Sequence, residues 1–355
     1  MLWKRNLHFV PLIIIQALWF VKRGTSGAFE EAVWYTRDGD TMKKLFVCLL
    51  ALLVSCAGPV SQTAEEATPE QVMLIPTGEE MRDEMREARI KEAVAPIAAH
   101  YLEQGGGDVS YYLNAVDWDE PVVYNVHFMD PASVMKIYIL ARVTEGIADG
   151  SIDRNESYVM DAGNVAEGSG DLQFEPYGSS FTVGELVREM MRKSDNTATN
   201  MLIDVVGGIE EMHESVARWG LEDTLYGSKF VGPSVVIGPR YNQTSAADVG
   251  KLLTRIARGE FLGGAWDASI IEEMSHTEND TKIAARLPEG VTVAHKTGEL
   301  EGLEHDAGIL TTDADTYILV IFMDEGSNDD FIERIAGFSE DAMKKILEIE
   351  ASEEE

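Results

Sequence analysis

Strand-forming runs sit at the two ends of the region 80–350, and the long stretch between them has a helical pattern. Val109 to Val116 and Val122 to Val126 read as two strands joined by a turn at Asp117-Trp118-Asp119-Glu120. Before them, MRDEMREARIKEAVAPIAAHYLEQ has helical spacing from about Glu80 until Gly105-Gly106-Gly107 stops it. A helix is predicted from Pro131 to Ile147, and a helix-rich block follows over 152–290. Its signals include a capping box at Thr182 and Glu185 and helix stops at Gly207, Gly220 and Gly259. Strand patterns return at Val291 to His295, Asp306 to Thr311 and Thr316 to Met323, ahead of a closing helix from Asp330 to Ile349. Such an order fits an α/β (α+β) fold. One antiparallel sheet draws its strands from both ends of the chain, helices from the termini cover it, and the middle block forms a helical lobe. The cleft between lobe and sheet is the expected place for a site.

The first 79 residues read differently. From Met42 the chain runs MKKLFVCLLALLVSCAG, with Lys43 and Lys44 before an apolar run, Leu45 to Val54, that is too short to span a bilayer. Leu53-Val54-Ser55-Cys56 resembles the lipobox of bacterial lipoproteins, in which the cysteine becomes the lipidated first residue. Residues 1–56 are therefore expected to be an upstream extension plus a lipoprotein signal peptide, with the true start at Met42. Residues 57–79, rich in Pro, Thr and Glu, are expected to form a flexible tether. A second apolar run, Phe9 to Val21, leaves open an additional anchor. Cys48 and Cys56 are the only cysteines, so a chain cleaved before Cys56 has no internal disulfide. Ala57 and Gly58 follow Cys56 where inner-membrane retention would want an aspartate. The expected location is outside the cytoplasm, lipid-anchored in the periplasm or on the surface, on the outer membrane in a Gram-negative cell. The formal charge of −33 excludes a nucleic-acid partner, because phosphate is repelled.

Three short motifs carry chemistry. Ser133 and Lys136, in Pro131-Ala132-Ser133-Val134-Met135-Lys136, are three residues apart at a helix start and share a helix face. A serine hydroxyl needs a base to become a nucleophile, and a desolvated lysine supplies one. Free N–H groups near a helix start favour developing negative charge. Ser194-Asp195-Asn196 falls between two helices of the middle block, and Lys296-Thr297-Gly298 is read as ending a strand. Each alone is also what a capped helix or a solvated strand end looks like. The set in this order, spaced by 61 and 102 residues, is similar to class A β-lactamases and penicillin-binding proteins. Further local likeness lies in Gly168-Ser169-Gly170-Asp171-Leu172, Asp195 to Asn200 and His305-Asp306-Ala307-Gly308-Ile309, so the resemblance covers roughly residues 85–348.

That resemblance implies a β-lactamase/transpeptidase-like fold with a five-stranded antiparallel sheet, and an exported serine hydrolase that requires neither cofactor nor metal. Ser133 would attack a β-lactam or D-Ala-D-Ala carbonyl, with Lys136 as its base and Ser194 relaying a proton to the leaving nitrogen. Asn196 would bond the substrate's side-chain amide. Lys296, Thr297 and Gly298 would hold the substrate end bearing the carboxylate, and the backbone N–H groups of Ser133 and Glu299 would form the oxyanion hole. One departure stands out. Class A β-lactamases carry Glu-x-x-Leu-Asn in a loop between the second and third motifs, and its Glu activates the deacylating water. Here the matching stretch runs from Tyr226 to Asn242 without a carboxylate, and the position of the Glu falls near Lys229 or Phe230. Slow deacylation follows from that reading, and a D-alanyl-D-alanine carboxypeptidase or a penicillin-binding lipoprotein without turnover stays open beside it. Five of the seven histidines, at 127, 213, 276, 295 and 305, lack metal-ligand spacing and read as structural.

Overall fold

The computed structural model describes residues 78–230 and 242–352. The predicted extension, signal peptide and nearly all of the tether lie outside the described residues, Cys56 among them. Helix α1 (Gly78–Ala98) begins two residues before the predicted start, within the ordinary uncertainty of a helix end, and runs into a π-turn at Ala99–Glu103.

Five strands form one antiparallel sheet: β1 (Asp108–Ala115), β2 (Val122–Tyr124), β5 (Thr292–Leu300), β6 (Leu303–Thr311) and β7 (Thr316–Asp324). Their order is β2-β1-β7-β6-β5, so the first two strands of the chain join the last three through β7. Strand β7 reads TYILVIFM because both of its faces are covered. Tyr317, Leu319, Ile321 and Met323 face a core built with α1 and the last helix, α8 (Asn328–Ala351). Ile318, Val320 and Phe322 face the opposite core, shared with the helical lobe. The two-residue side-chain period of a strand makes this split automatic. Fully burying each large apolar side chain contributes about 1.5–3 kcal/mol.

The lobe holds α2 (Lys136–Asp149), α3 (Val183–Arg192), α4 (Asn196–Val205), α5 (Ile209–Arg218), α6 (Ala246–Ala257) and α7 (Gly264–Met274). Thr182 and Glu185 make the predicted capping box at the start of α3. A two-stranded ribbon, β3 (Ser157–Val159) with β4 (Ser180–Thr182), interrupts the block that the sequence pattern made wholly helical. Each strand is three residues long, too short for a period of two to register.

Two boundaries near the third motif differ from the sequence expectation. Strand β5 continues to Leu300, so Lys296-Thr297-Gly298 lies inside the strand rather than at its end. Strand β6 starts at Leu303 rather than Asp306, and the two strands turn over Glu301-Gly302. Charged residues at 299, 301 and 304 hid this hairpin from an apolar pattern. The predicted helix from Pro131 is also divided: a 3-10 turn, Ala132–Met135, precedes α2.

Candidate active site

The turn carrying Ser133 is held in an unusual shape from three directions. Ala132 has φ +44°, a conformation in which a non-glycine residue is strained. The Asp130 carboxylate accepts the Ala132 N–H at 2.9 Å. The buried His305 side chain reaches the Asp130 carbonyl from Nε2 at 2.8 Å, while its Nδ1 accepts the Met323 N–H at 3.1 Å. That pair of partners puts the ring proton on Nε2, and burial pushes the imidazole down to about 4, keeping it neutral. From the third side comes β5. A Cβ on Gly298 would lie 3.0 Å from the Pro131 carbonyl oxygen and 3.2 Å from the Ala132 Cβ, so glycine lets the strand approach the turn closely.

Lys136 opens α2 and is fully buried. Its Nζ lies 3.0 Å from Ser133 Oγ, 3.0 Å from Ser194 Oγ, 2.6 Å from the Ser194 carbonyl oxygen and 2.8 Å from Asn196 Oδ1. Burial pushes its pKa well below the ordinary lysine value, the nearby Lys296 pushes it further down, and Asp195 opposes both. A neutral amine has two protons and one lone pair. Two of its four neighbours are obligate acceptors, the Ser194 carbonyl and Asn196 Oδ1, so they take the protons and leave the lone pair for a hydroxyl. Lys136 thus stands between the two serine hydroxyls at equal distance.

The second motif is fixed in place by its own middle residue. Ser194 has φ +57° and closes the gap between α3 and α4. Asp195, fully buried, caps α4 by accepting the Ala198 N–H at 2.8 Å and also accepts the Leu172 N–H at 2.8 Å. The segment Gly168 to Leu172 wraps this aspartate so closely that a Cβ on Gly170 would fall 2.1 Å from its Oδ2. Asn196 donates from Nδ2 to the Glu167 carbonyl at 3.0 Å while its Oδ1 meets Lys136. Its amide is therefore engaged within the protein, and a substrate amide would share Oδ1 with the lysine.

The third motif forms the opposite wall. Lys296 is buried and its pKa is pushed down to about 7, chiefly by burial and also by Lys282, with Asp306 and Glu299 opposing. Its Nζ donates to the Thr297 carbonyl at 2.9 Å. Backbone direction along β5 follows from pairing. The His295 carbonyl accepts Thr277 Oγ1 at 2.5 Å on the side away from β6. Since N–H and C=O point to alternate sides in successive residues, those of Thr297 and Glu299 also face the open sheet edge. Directly behind, His295 pairs through Nδ1 with buried Asp306 at 3.0 Å.

All three motifs meet. Ser133, Ser194, Lys296, Thr297 and Glu299 line one cleft of about 260 Å³, together with Ser169, Arg192, Lys193, Thr277, Glu278 and Asn279. Of the predicted site residues, Ser133, Lys136, Ser194 and Asn196 form a single hydrogen-bonded cluster, and Gly298 packs against the turn that holds it. Sequence reasoning passed over Arg192, Lys193 and residues 277–279. The first two directly precede Ser194, which was the available signal; the others precede β5 in a stretch without a motif.

The stretch lacking a carboxylate has an informative start. Asn242 Oδ1 accepts the N–H groups of Gly227 at 2.9 Å and Ser228 at 3.1 Å. Asn200 grips Phe230 twice, accepting its N–H at 2.8 Å and donating to its carbonyl at 2.7 Å. The Phe230 ring consequently lies over Lys136, with Nζ 4.7 Å from its centroid. Lys229 instead turns to Asp204, at 2.5 Å. Of the two positions suggested by the sequence, Phe230 is the one beside the cluster.

Comparison with known proteins agrees with this arrangement. A family model described as "Beta-lactamase enzyme family" matches residues 89–346. The extended-spectrum β-lactamase PER-1 of Pseudomonas aeruginosa is 25% identical over 185 residues, which are 50% of this chain and 60% of that protein. A β-lactamase structure from Sphaerobacter thermophilus superposes with a TM-score of 0.66 at 25% identity, covering 72% of this chain and 97% of the other. The structure named PBP-A gives 0.65 at 26% identity, covering 72% and 96%. A variant of PBP-A has been solved as an acyl-enzyme complex with penicillin G. A serine–lysine cluster in a cleft between an antiparallel sheet and a helical lobe agrees with the Ser-x-x-Lys, Ser-Asp-Asn and Lys-Thr-Gly motif set of β-lactamases and penicillin-binding proteins. The chain belongs to the β-lactamase enzyme family.

Proposed function

We propose that this protein is a serine hydrolase whose Ser133 is acylated by β-lactams, and that it releases the acyl group slowly. The observation that carries the proposal is Lys136: buried, depressed in pKa and 3.0 Å from two serine hydroxyls. Lys136 takes the Ser133 proton as Oγ bonds to the lactam carbonyl carbon. The Ser133 and Glu299 N–H groups receive the oxyanion. Collapse breaks the C–N bond, and the proton passes from Lys136 through Ser194 to the leaving nitrogen. Lys296 and Thr297 hold the substrate carboxylate, a charge-assisted pairing. Slow release is supported by the aromatic ring of Phe230 beside Lys136 and by the absence of Asp or Glu from Tyr226 to Asn242. The same feature favours a second reading, a D-alanyl-D-alanine carboxypeptidase, in which a peptide is the turnover substrate. Sustained hydrolysis of a chromogenic cephalosporin beyond one equivalent supports the first. Release of D-alanine from a cell-wall pentapeptide, with only one equivalent of cephalosporin consumed, selects the second.

The two lysines set a pH dependence. Lys136 acts as a base only when neutral, so the rate rises with pH through its lowered pKa. Lys296 binds a carboxylate only when charged, and in the free enzyme that charge is lost as pH rises through about 7. The second-order rate of acylation by benzylpenicillin is therefore expected to follow a bell, rising as Lys136 becomes neutral and falling as Lys296 loses its charge. A rate still climbing at about pH 8 contradicts the assignment of Lys296.

Export and lipid anchoring through Cys56 belong to the same proposal and rest on residues 42–56 alone. Cells grown with labelled fatty acid are expected to incorporate it into the wild-type protein and not into Cys56→Ala. Equal labelling of the two rules the anchor out.

A further inference from the structure

One carboxylate of the cleft plays no part in the chemistry above, and it belongs to the residue that supplies an oxyanion N–H. The Glu299 side chain is about half exposed, with side-chain accessibility of 54%, and lines the cleft with Asn279, whose Nδ2 donates to Glu299 Oε2 at 3.2 Å. Behind it lies Lys282, completely buried. Lys282 Nζ is 2.6 Å from Glu304 Oε2, 3.6 Å from Glu299 Oε2 and 3.4 Å from the Gly298 carbonyl oxygen. Glu304 is nearly as buried as the lysine and takes the short contact. This triad of one cation and two carboxylates has a net charge of −1, and the excess sits on the outer member, facing the cleft. By contrast Glu278, the other carboxylate lining the cleft, is paired with Arg192 at 2.5 Å.

We infer that Glu299 is a specificity-determining residue that selects acyl donors carrying a cationic group close to the reacting carbonyl on its acyl side. The inference rests on the proposed acylation of Ser133. Position along β5 sets the side. Lys296 and Thr297 lie toward the leaving-group carboxylate, and Glu299 lies two residues beyond Thr297, roughly 7 Å further along the strand. An ammonium on the acyl side then meets Glu299, whereas an uncharged acyl group leaves an unneutralised carboxylate beside the oxyanion that forms in the transition state. Charge placed there opposes acylation by the same physics that makes an oxyanion hole favourable. Lys296 and Glu299 thus flank the reacting carbonyl with opposite charges, an arrangement that suits a zwitterionic substrate.

Ampicillin and benzylpenicillin test this, because they share one nucleus and differ by an ammonium on the acyl side chain. The readout is the second-order rate of adduct formation on Ser133, followed by intact mass. The wild-type enzyme is expected to favour ampicillin by roughly tenfold, and Glu299→Gln, which keeps the backbone donor, is expected to bring the ratio near unity, mainly by speeding benzylpenicillin. Added salt should compress the wild-type ratio, since the carboxylate is half exposed. A second variant acts from outside the cleft. Glu304→Gln releases Lys282 to neutralise Glu299 and is also expected to lower the ratio. Ratios equal in wild type and Glu299→Gln, with adducts forming in both, overturn this inference and leave the proposed function standing. No adduct on Ser133 from either penicillin overturns both.

Discussion

Lys136→Met is expected to slow acylation of Ser133 by roughly 10²–10⁴-fold, the usual contribution of a positioned general base. The thioether keeps the length of the buried side chain and removes the amine that lies 3.0 Å from both hydroxyls. The substitution also strips partners from the Ser194 carbonyl and Asn196 Oδ1, and each unsatisfied buried acceptor costs about 1–3 kcal/mol. Thermal unfolding of the variant therefore has to accompany the kinetics. A folded Lys136→Met protein that acylates within a few fold of wild type would mean that another group takes the serine proton. The rise in rate with pH supplies an independent check, because that limb belongs to Lys136 and should vanish in the variant.

Phe230→Glu is expected to act on the other half of the reaction and in the opposite direction. The backbone at Phe230 is clamped by the Asn200 amide on both its N–H and its carbonyl, so the replaced side chain starts from the same place, next to Lys136. A carboxylate there can hold and deprotonate a water near the acyl carbon, and deacylation is expected to rise by roughly 10²–10⁴-fold. Its charge will also favour the protonated form of Lys136, so some loss in the acylation rate should accompany the gain. Burst kinetics with a chromogenic cephalosporin separate the two steps. A wild-type burst of one equivalent followed by slow hydrolysis, which becomes fast steady turnover in Phe230→Glu, is the expected result. An unchanged burst would show that the ring does not occupy the place of the missing base.

Much of this was legible in the sequence, for identifiable reasons. The sheet was readable because its central strand, β7, is apolar on both faces, and because turns at Asp117 to Glu120 and the glycines punctuate the chain. The Ser133–Lys136 contact was readable because helical spacing places residues three apart on one face, and it survives even though a 3-10 turn replaces the first helical turn. Where β5 ends was not readable, since hairpin residues Glu299, Glu301 and Glu304 are charged and carry no apolar alternation. Nor was the pairing of Lys282 with Glu304, which joins a loop residue to a strand residue 22 positions later through a buried contact that no local pattern announces. His305 was read as structural, and its bonds to the Asp130 carbonyl and the Met323 N–H give that role a place: it pins the turn that carries Ser133. Choosing between Lys229 and Phe230 needed the Asn200 clamp, which is a tertiary contact across 30 residues.

Whether the Ser133 hydroxyl is the atom that opens a lactam is decided by intact-mass time courses with benzylpenicillin on the wild type and on Ser133→Ala. The wild type should gain one penicilloyl mass that persists long after mixing, and Ser133→Ala should stay at its own mass throughout. An adduct of the same size on Ser133→Ala, or hydrolysis of the drug at the wild-type rate without that hydroxyl, would contradict it.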